Sequence, residues 1–256
     1  MKLSQKFLGG IQQYKYTLDF SSSELADRVK LYLTKCPEIL YRSDIIYNSG
    51  CGKSRPDGYV TRDGVPFGEV ITNVLLCEEF AVPTDKDCTY NSGSRSADTQ
   101  SRRKTYCDFT AQKAYCGNNE TKLMHVLAMQ GKAGEFRVVD YQVTTTNGQK
   151  DNIDIILEKN GNVYITEAKK FFSTESLVRC VLEIQTYYQK LNSRFFEKYE
   201  CSADTLKKAV LFDEGSFAFK QLKSGSWAKK LLKKFDITVL LLSEKENCYH
   251  IAEFTE

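Results

Sequence analysis

The sequence predicts an α/β protein: helices covering a mixed sheet, with an appended N-terminal α+β region. Three observations predict it. From Asn118 onward, helical and extended patterns alternate along the chain. Residues 152–170 contain two apolar-rich extended runs joined by Asn160-Gly161, the strongest short hairpin signal present. Ile237 to Leu242 is almost wholly apolar, which suits a strand covered on both faces.

The whole chain sets the bounds. Its 256 residues allow one large domain or two moderate ones. Apolar content of 41%, charged content of 27% and a net charge of +3 describe a globular chain and exclude global disorder. The mild basicity hints at a nucleic-acid partner, and the placement of charge says more than its sum. No run of 18 apolar residues occurs, so no transmembrane helix and no membrane partner is expected. Met1 to Tyr16 lacks an apolar leader segment, so an intracellular location, cytoplasm or nucleus, is expected. Nine cysteines are present without Cys-x-x-Cys spacing, beside two histidines, His125 and His250. Free thiols in a reducing compartment are the preferred reading, and a zinc site built from distant N-terminal cysteines is the alternative.

In chain order, Ser22 or Ser23 can cap a helix through about Leu33, because Leu25, Val29 and Leu33 repeat at helical spacing. Ile39 to Tyr47 reads as a strand. Gly50-Cys51-Gly52-Lys53-Ser54 lacks the first glycine of a phosphate-binding loop, since that position is Tyr47. Two extended runs, Pro56–Val60 and Val65–Ile71, flank Asp63-Gly64 and predict a hairpin. Its Asp57 and Glu69 fall out of register with each other, so it is assigned to building the N-terminal region. The polar run Ser92–Thr105 reads as a surface loop. Its Arg95, Arg102, Arg103 and Lys104 either contact phosphates or are solvated surface charge.

Asn118 or Asn119 can cap a helix to about Gln130, stopped by Gly131. Glu120 sits in its first turn, where the helix dipole favours a carboxylate; that role and a role at a site both remain open. Phe136–Thr146 is a strand, and the hairpin supplies two more. Ser173 or Thr174 opens a long helix covering at least Leu177 to Leu191, with Gln185 and Tyr188 on neighbouring faces. Lys208–Phe212 is the next strand. A basic helical stretch follows, with a break at Gly225 and Lys229, Lys230, Lys233 and Lys234 in its second part. Ile237–Leu242 is a strand, and Cys248–Phe254 adds an edge.

The Asn160-Gly161 turn fixes the hairpin register, because a type I′ loop takes φ > 0 at both central residues. Lys159 then faces Asn162, Leu157 faces Tyr164, Ile155 faces Thr166 and Asp154 faces Glu167. Lys169 shares the Glu167 face through the period-two alternation. Two carboxylates opposed at about 5 Å repel by roughly 3 kcal/mol at an effective dielectric near 20. A cation between them removes that cost, so the hairpin reads as a divalent-metal site. Asp151 is a rival acid that faces no carboxylate in this register. A plain surface salt bridge from Lys169 to either acid is the simpler alternative.

The element order, with Asp154 ahead of Glu167-Ala168-Lys169, resembles the PD-(D/E)xK phosphodiesterase superfamily with its restriction-endonuclease-like fold. The resemblance covers about residues 117–242. It implies a nuclease using Mg²⁺ or Mn²⁺, with Asp154 and Glu167 as metal-binding acids and Lys169 orienting water and offsetting phosphate charge. It places Glu120 where many members carry an extra metal-binding acid, and Gln185 where exonuclease-like members carry a glutamine. Tyr188 follows Gln185 by three residues rather than the usual four, and Ile153 stands where proline is common.

The resulting expectation is a metal-dependent nuclease. Residues 1–116 form a substrate-recognition or oligomerisation region (a homodimer is compatible with it), and 117–256 form the catalytic domain. DNA is favoured over RNA on the family resemblance. Lys170, Lys229, Lys230 and the arginine-rich loop are the candidate phosphate contacts, with affinity falling steeply as salt rises. The rival is a non-catalytic nucleic-acid-binding or interaction protein on the same fold.

Overall fold

The Asn160-Gly161 turn forms as the residue types require, with φ of 51° and 78°. Both central residues occupy the left-handed region that a two-residue hairpin needs. The computed structural model describes residues 7–8, 12–13, 16–35, 58–79, 90, 109–117, 119–144 and 152–255. The expected strand at Ile39–Tyr47, the Gly50–Ser54 turn and the Ser92–Thr105 loop lie outside them.

Contacts divide the chain into two units, each assembled from three stretches. One comprises residues 1–82, 173–186 and 215–236; the other comprises 83–172, 187–214 and 237–256. The chain therefore crosses between units several times, where the sequence suggested one break between residues 116 and 117.

The second unit is built on a seven-stranded mixed sheet. Its strands, in chain order and also in spatial order, are β3 (Lys132–Ala133), β4 (Phe136–Thr144), β5 (Asn152–Lys159), β6 (Asn162–Ala168), β7 (Leu206–Phe212), β8 (Ile237–Lys245) and β9 (Cys248–Glu253). A small separate pair, β1 (Phe7–Leu8) and β2 (Gln12–Gln13), precedes them. β6 runs parallel to β7 and β7 parallel to β8, while the other neighbours are antiparallel. The α/β class is thus as the sequence predicts.

The helices α3 (Phe109–Cys116) and α4 (Glu120–Gln130) belong to this unit, as does a short helix further along the chain. Asn119 caps α4, its side-chain oxygen accepting from Lys122 N at 2.9 Å. Gly131 ends it at φ 76°, with its N–H donating to Leu127 O. The buried stripe of α4, Leu123, Met124, Val126 and Leu127, joins one core cluster with Phe136, Ile155, Leu157, Tyr164 and Leu211. Those strand residues occupy the sheet face opposite Asp154. Cys116 is buried in this cluster, and burial pushes its thiol pKa up, which keeps it protonated and inert.

Besides the β1–β2 pair, the regular elements among the first unit's described residues are helices. α1 (Ser22–Lys35) and α2 (Phe67–Leu76) pack with α7 (Phe217–Ser224) and α8 (Ser226–Phe235). The Asp63-Gly64 turn is present, with Gly64 at φ 84°. The expected second strand, Val65–Ile71, is instead the start of α2. Val60 and Pro66 make one antiparallel bridge, and the helix begins at the next residue. Phe67, Val70, Ile71, Val74 and Leu75 are all buried, at helical spacing that continues beyond Ile71. Pro66 immediately precedes the first helical residue, where its missing N–H costs nothing.

The helix spanning the two units, α5 (Leu177–Gln189), ends earlier than its apolar repeat suggests. Asn192 caps a separate short helix, α6 (Ser193–Lys198), accepting from Phe195 N at 3.4 Å. The break at Gly225 with a restart at Ser226 falls where the sequence places it.

The junction of α2 and α8 is tight. A Cβ on Gly68 would lie 2.6 Å from the Trp227 ring, which is 5% exposed. Gly68→Ala is therefore expected to lower stability by about 1–3 kcal/mol through overpacking. In urea unfolding, much of that loss should vanish when Trp227 is already Leu, because the clashing ring is gone. Equal penalties in both backgrounds would show that the ring is not the obstacle.

Candidate active site

The hairpin places its polar residues as the turn dictates. The β5–β6 ladder pairs Lys159 with Asn162, Leu157 with Tyr164 and Ile155 with Thr166. Asp154 and Glu167 occupy the next position. They share a face with Lys169, and all three are buried: Asp154 is 9% exposed, Glu167 2% and Lys169 3%. The surface-salt-bridge alternative fails on these values, because no solvated sheet face surrounds the three.

Each group is held by named partners. The Lys169 ammonium donates to Glu167 Oε1 in a short buried ion pair, and its Nζ lies 3.7 Å from Glu120 Oε1. Glu120 Oε2 accepts from the Lys170 backbone N–H at 3.1 Å. Its side chain is one-third exposed, which puts it at the rim. The two readings of Glu120 therefore coincide: it stands in the first turn of α4 and also faces Lys169. Asp154 Oδ2 accepts from Ala168 N at 3.0 Å, so the carboxylate reaches across to β6. Its Oδ1 accepts from Gln142 Nε2 at 2.9 Å.

Gln142 is a member that the sequence reading missed. β4 carries a bulge between Val138 and Asp140, after which Tyr141 pairs with Ile155 and Val143 with Ile153. Gln142 then stands opposite Asp154, with its backbone in the left-handed region at φ 47°. A non-glycine residue in that conformation inside a strand is strained, and such strain concentrates at functional sites. The same bulge places Asp140 opposite Ile156, on the Asp154 face. Asp140 is buried, accepting from Tyr141 N at 2.8 Å and from the Tyr199 hydroxyl at 3.0 Å. Burial, then the Asp140 charge, drive the Tyr199 phenol pKa upward, so it stays a donor. The signal was the alternating Asp140-x-Gln142, but the bulge in β4 shifts its pairing with β5.

The remaining predicted residues are placed as follows. Lys170 is half-buried beside Glu120. Gln185 is 4% exposed on the part of α5 that belongs to the first unit. Tyr188 is half-buried, with the Lys208 ammonium 4.5 Å from its ring centre. Lys229 and Lys230 are exposed on α8. Arg95, Arg102, Arg103 and Lys104 lie outside the described residues, as does Asp151.

The oxygens can hold a hard divalent cation. Carboxylate oxygens are the ligands that a hard divalent cation takes. Mg²⁺ typically takes one or two carboxylates and keeps several waters. Among the described residues, no group of three or more His, Cys, Asp or Glu side chains gathers as a metal cage. The expected trio of Asp154, Glu167 and Glu120 is thus not assembled as one, because the Lys169 ammonium stands between Glu167 and Glu120. The hairpin carboxylates that could hold an ion are Asp154 and Glu167, of which Glu167 also pairs with Lys169.

No family model and no curated protein matches the chain. A solved structure of Pyrococcus furiosus SfsA in complex with Ca²⁺ is similar over 65% of this chain and 73% of that one, at 11% identity and a TM-score of 0.22. That likeness is too slight to bear on fold or function.

The buried pair gives a direct stability test. Lys169→Met should cost about 3–5 kcal/mol, because it strands the Glu167 charge in the core. Adding Glu167→Gln should recover most of that loss in urea unfolding. A single Lys169→Met variant as stable as wild type would mean the ion pair is not formed.

Proposed function

We propose that the chain is a metal-dependent nuclease of the PD-(D/E)xK, restriction-endonuclease-like kind, hydrolysing phosphodiester bonds in nucleic acid, with DNA as the favoured substrate. One observation carries the reading: Asp154, Glu167 and Lys169 are buried together on one sheet face, beside a strained Gln142. Burying three ionisable groups in a sheet core opposes stability, and such arrangements cluster at functional sites.

The residue types suit the chemistry. A phosphodiester is anionic and repels hydroxide. Asp154 and Glu167 would hold Mg²⁺ or Mn²⁺, which when bound screens that charge and lowers the pKa of an attacking water. Ala168 N–H and the Gln142 amide fix both Asp154 oxygens, so the carboxylate is oriented before substrate arrives. The Lys169 ammonium, a compact point charge, stabilises negative charge that grows on phosphate oxygens. Glu167 holds that ammonium in place, and Glu120 supplies a second carboxylate on its other side. Water attacks phosphorus directly and releases a proton to solvent, the ester P–O bond breaks, and the departing oxygen takes up a proton, with no covalent enzyme intermediate.

Charge elsewhere supports a polyanionic substrate. From Phe217 to Phe235 the chain carries Lys220, Lys223, Lys229, Lys230, Lys233 and Lys234 and no acidic residue. All six lysines are exposed. The apolar side of α8, including Trp227, Leu231 and Phe235, is already buried. The helix therefore presents charge without an insertable apolar face, which favours phosphate-backbone contacts over lipid insertion.

The second reading, a non-catalytic nucleic-acid-binding protein, is favoured by the Lys169 ammonium itself. It already lies between two acids and compensates them without a metal.

Incubating plasmid, single-stranded DNA and RNA with the protein separates the two. Cleavage should require Mg²⁺ or Mn²⁺ and stop in EDTA. Asp154→Asn and Glu167→Gln, checked for wild-type folding by circular dichroism, should lower the rate by at least about 10²-fold. Equal, metal-independent cleavage by all three proteins, or none by folded wild type, would defeat the nuclease reading. Retained nucleic-acid binding in the latter case would establish the second one.

A further inference from the structure

Phe172 is the most exposed large hydrophobic side chain among the described residues, at 73%, against 56% for Leu31 and 41% for Tyr16. Single exposed apolar residues are ordinary. This one is not held as an ordinary surface residue. Its backbone φ is 54°, in the left-handed region. A bulky side chain is a poor choice there, where Gly or Asn would be accommodated more easily. The site thus tolerates two penalties at one residue, an unfavourable backbone and an unburied ring.

The segment bearing it is pinned at successive residues. Lys169 N–H donates to Leu211 O at 2.8 Å, continuing the β6–β7 ladder. Lys170 N–H donates to Glu120 Oε2. The Phe171 ring packs 5.9 Å from the Tyr249 ring, centre to centre. Phe172 N–H donates to Asp213 Oδ1 at 2.8 Å, and Asp213 is 5% exposed. A phenyl ring is therefore displayed from a fixed backbone three residues beyond the buried lysine. Restricting the backbone reduces the ordering needed when a flat ligand stacks on the ring.

From this geometry we infer that Phe172 is a stacking platform for an unpaired nucleobase, so that the substrate at this site is single-stranded or locally unpaired nucleic acid. The inference deepens the nuclease reading and rests on it for the identity of the ligand. The chemistry is specific to an unpaired base. Aromatic faces stack on any base once its own face is uncovered, whereas in a duplex interior both faces are already occupied. Lys170, two residues away, supplies cationic charge for the adjoining phosphate. An apolar protein partner would use the same side chain for its area and would not need a π-face.

The test measures equilibrium binding, in EDTA, of the full chain to a single-stranded oligonucleotide carrying 2-aminopurine and to a hairpin duplex of the same sequence. Phe172→Leu keeps apolar area and removes the ring, while Phe172→Trp enlarges the ring. Stacking predicts quenched 2-aminopurine emission with wild type and with Phe172→Trp. It predicts that Phe172→Leu binds the single strand about 5- to 100-fold more weakly, with little change on the duplex. Thermal unfolding of each variant should match wild type, since the side chain is exposed. Phe172→Leu binding the single strand as tightly as wild type, equal losses on both substrates, or no single-strand binding by wild type would each overturn the inference. Metal-dependent cleavage that continues at the wild-type rate in Phe172→Leu would sink the platform alone. Intact stacking without any cleavage would leave the platform standing and remove the nuclease reading.

Discussion

The Lys169–Glu167 ion pair is the constraint around which the second unit is arranged. Both side chains are almost wholly buried, Glu167 on a central strand of the sheet and Lys169 just past its end. Two charges in that position oppose stability unless each finds its partner in good geometry. The hairpin meets the condition through its turn. Asn160-Gly161 sets the register, and the register puts Glu167 and Lys169 on the same face as Asp154. A slip of one residue would turn the acids and the lysine into the apolar core formed with α4. The Asn119 cap then starts α4 where Glu120 can reach both Lys169 and the Lys170 backbone. Local turn chemistry, helix capping and the buried charges therefore agree on one arrangement, the kind of agreement between levels that specifies a single structure.

Much of this was legible in the residues because the signals were local. A two-residue turn with left-handed φ has few sequence solutions, so Asn-Gly revealed both strands and their pairing. Asn119, Gly131 and the Gly225 break were readable for the same reason: each is a short-range backbone requirement. What escaped depended on distant parts of the chain. Val65–Ile71 alternates like a strand over a few residues, and only burial against α8 selects the helix that continues to Leu76. Gln142 and Asp140 reach the acid face through a bulge in β4, and no turn residue announces a bulge. The buried state of Lys169 was also unreadable, since a lysine on a strand is more often solvated.

The division into two units has a similar origin. Residues 173–186 and 215–236 leave the sheet-bearing unit and return to it. No proline and no long low-complexity linker stands at those crossings in the sequence. The lysine-rich stretch 217–235 lies in one such excursion. Its apolar side is used in packing within its own unit, which leaves a surface of uniform charge. Phe172, the last residue before the chain first leaves the sheet-bearing unit, sits where the backbone turns through a left-handed conformation under the hold of Asp213. The features read as contacts for a polyanion thus arise from chain segments that serve folding first.

The proposed metal site consists of the Asp154 and Glu167 oxygens next to a lysine already in place. Electron paramagnetic resonance of Mn²⁺ in the presence of the protein measures this without substrate or turnover. Wild type should deplete the free Mn²⁺ signal saturably, and Asp154→Asn, whose side chain retains the shape but not the charge, should weaken binding by about 10-fold or more. Undiminished binding in Asp154→Asn, or no binding by folded wild type, would contradict a metal site at these carboxylates.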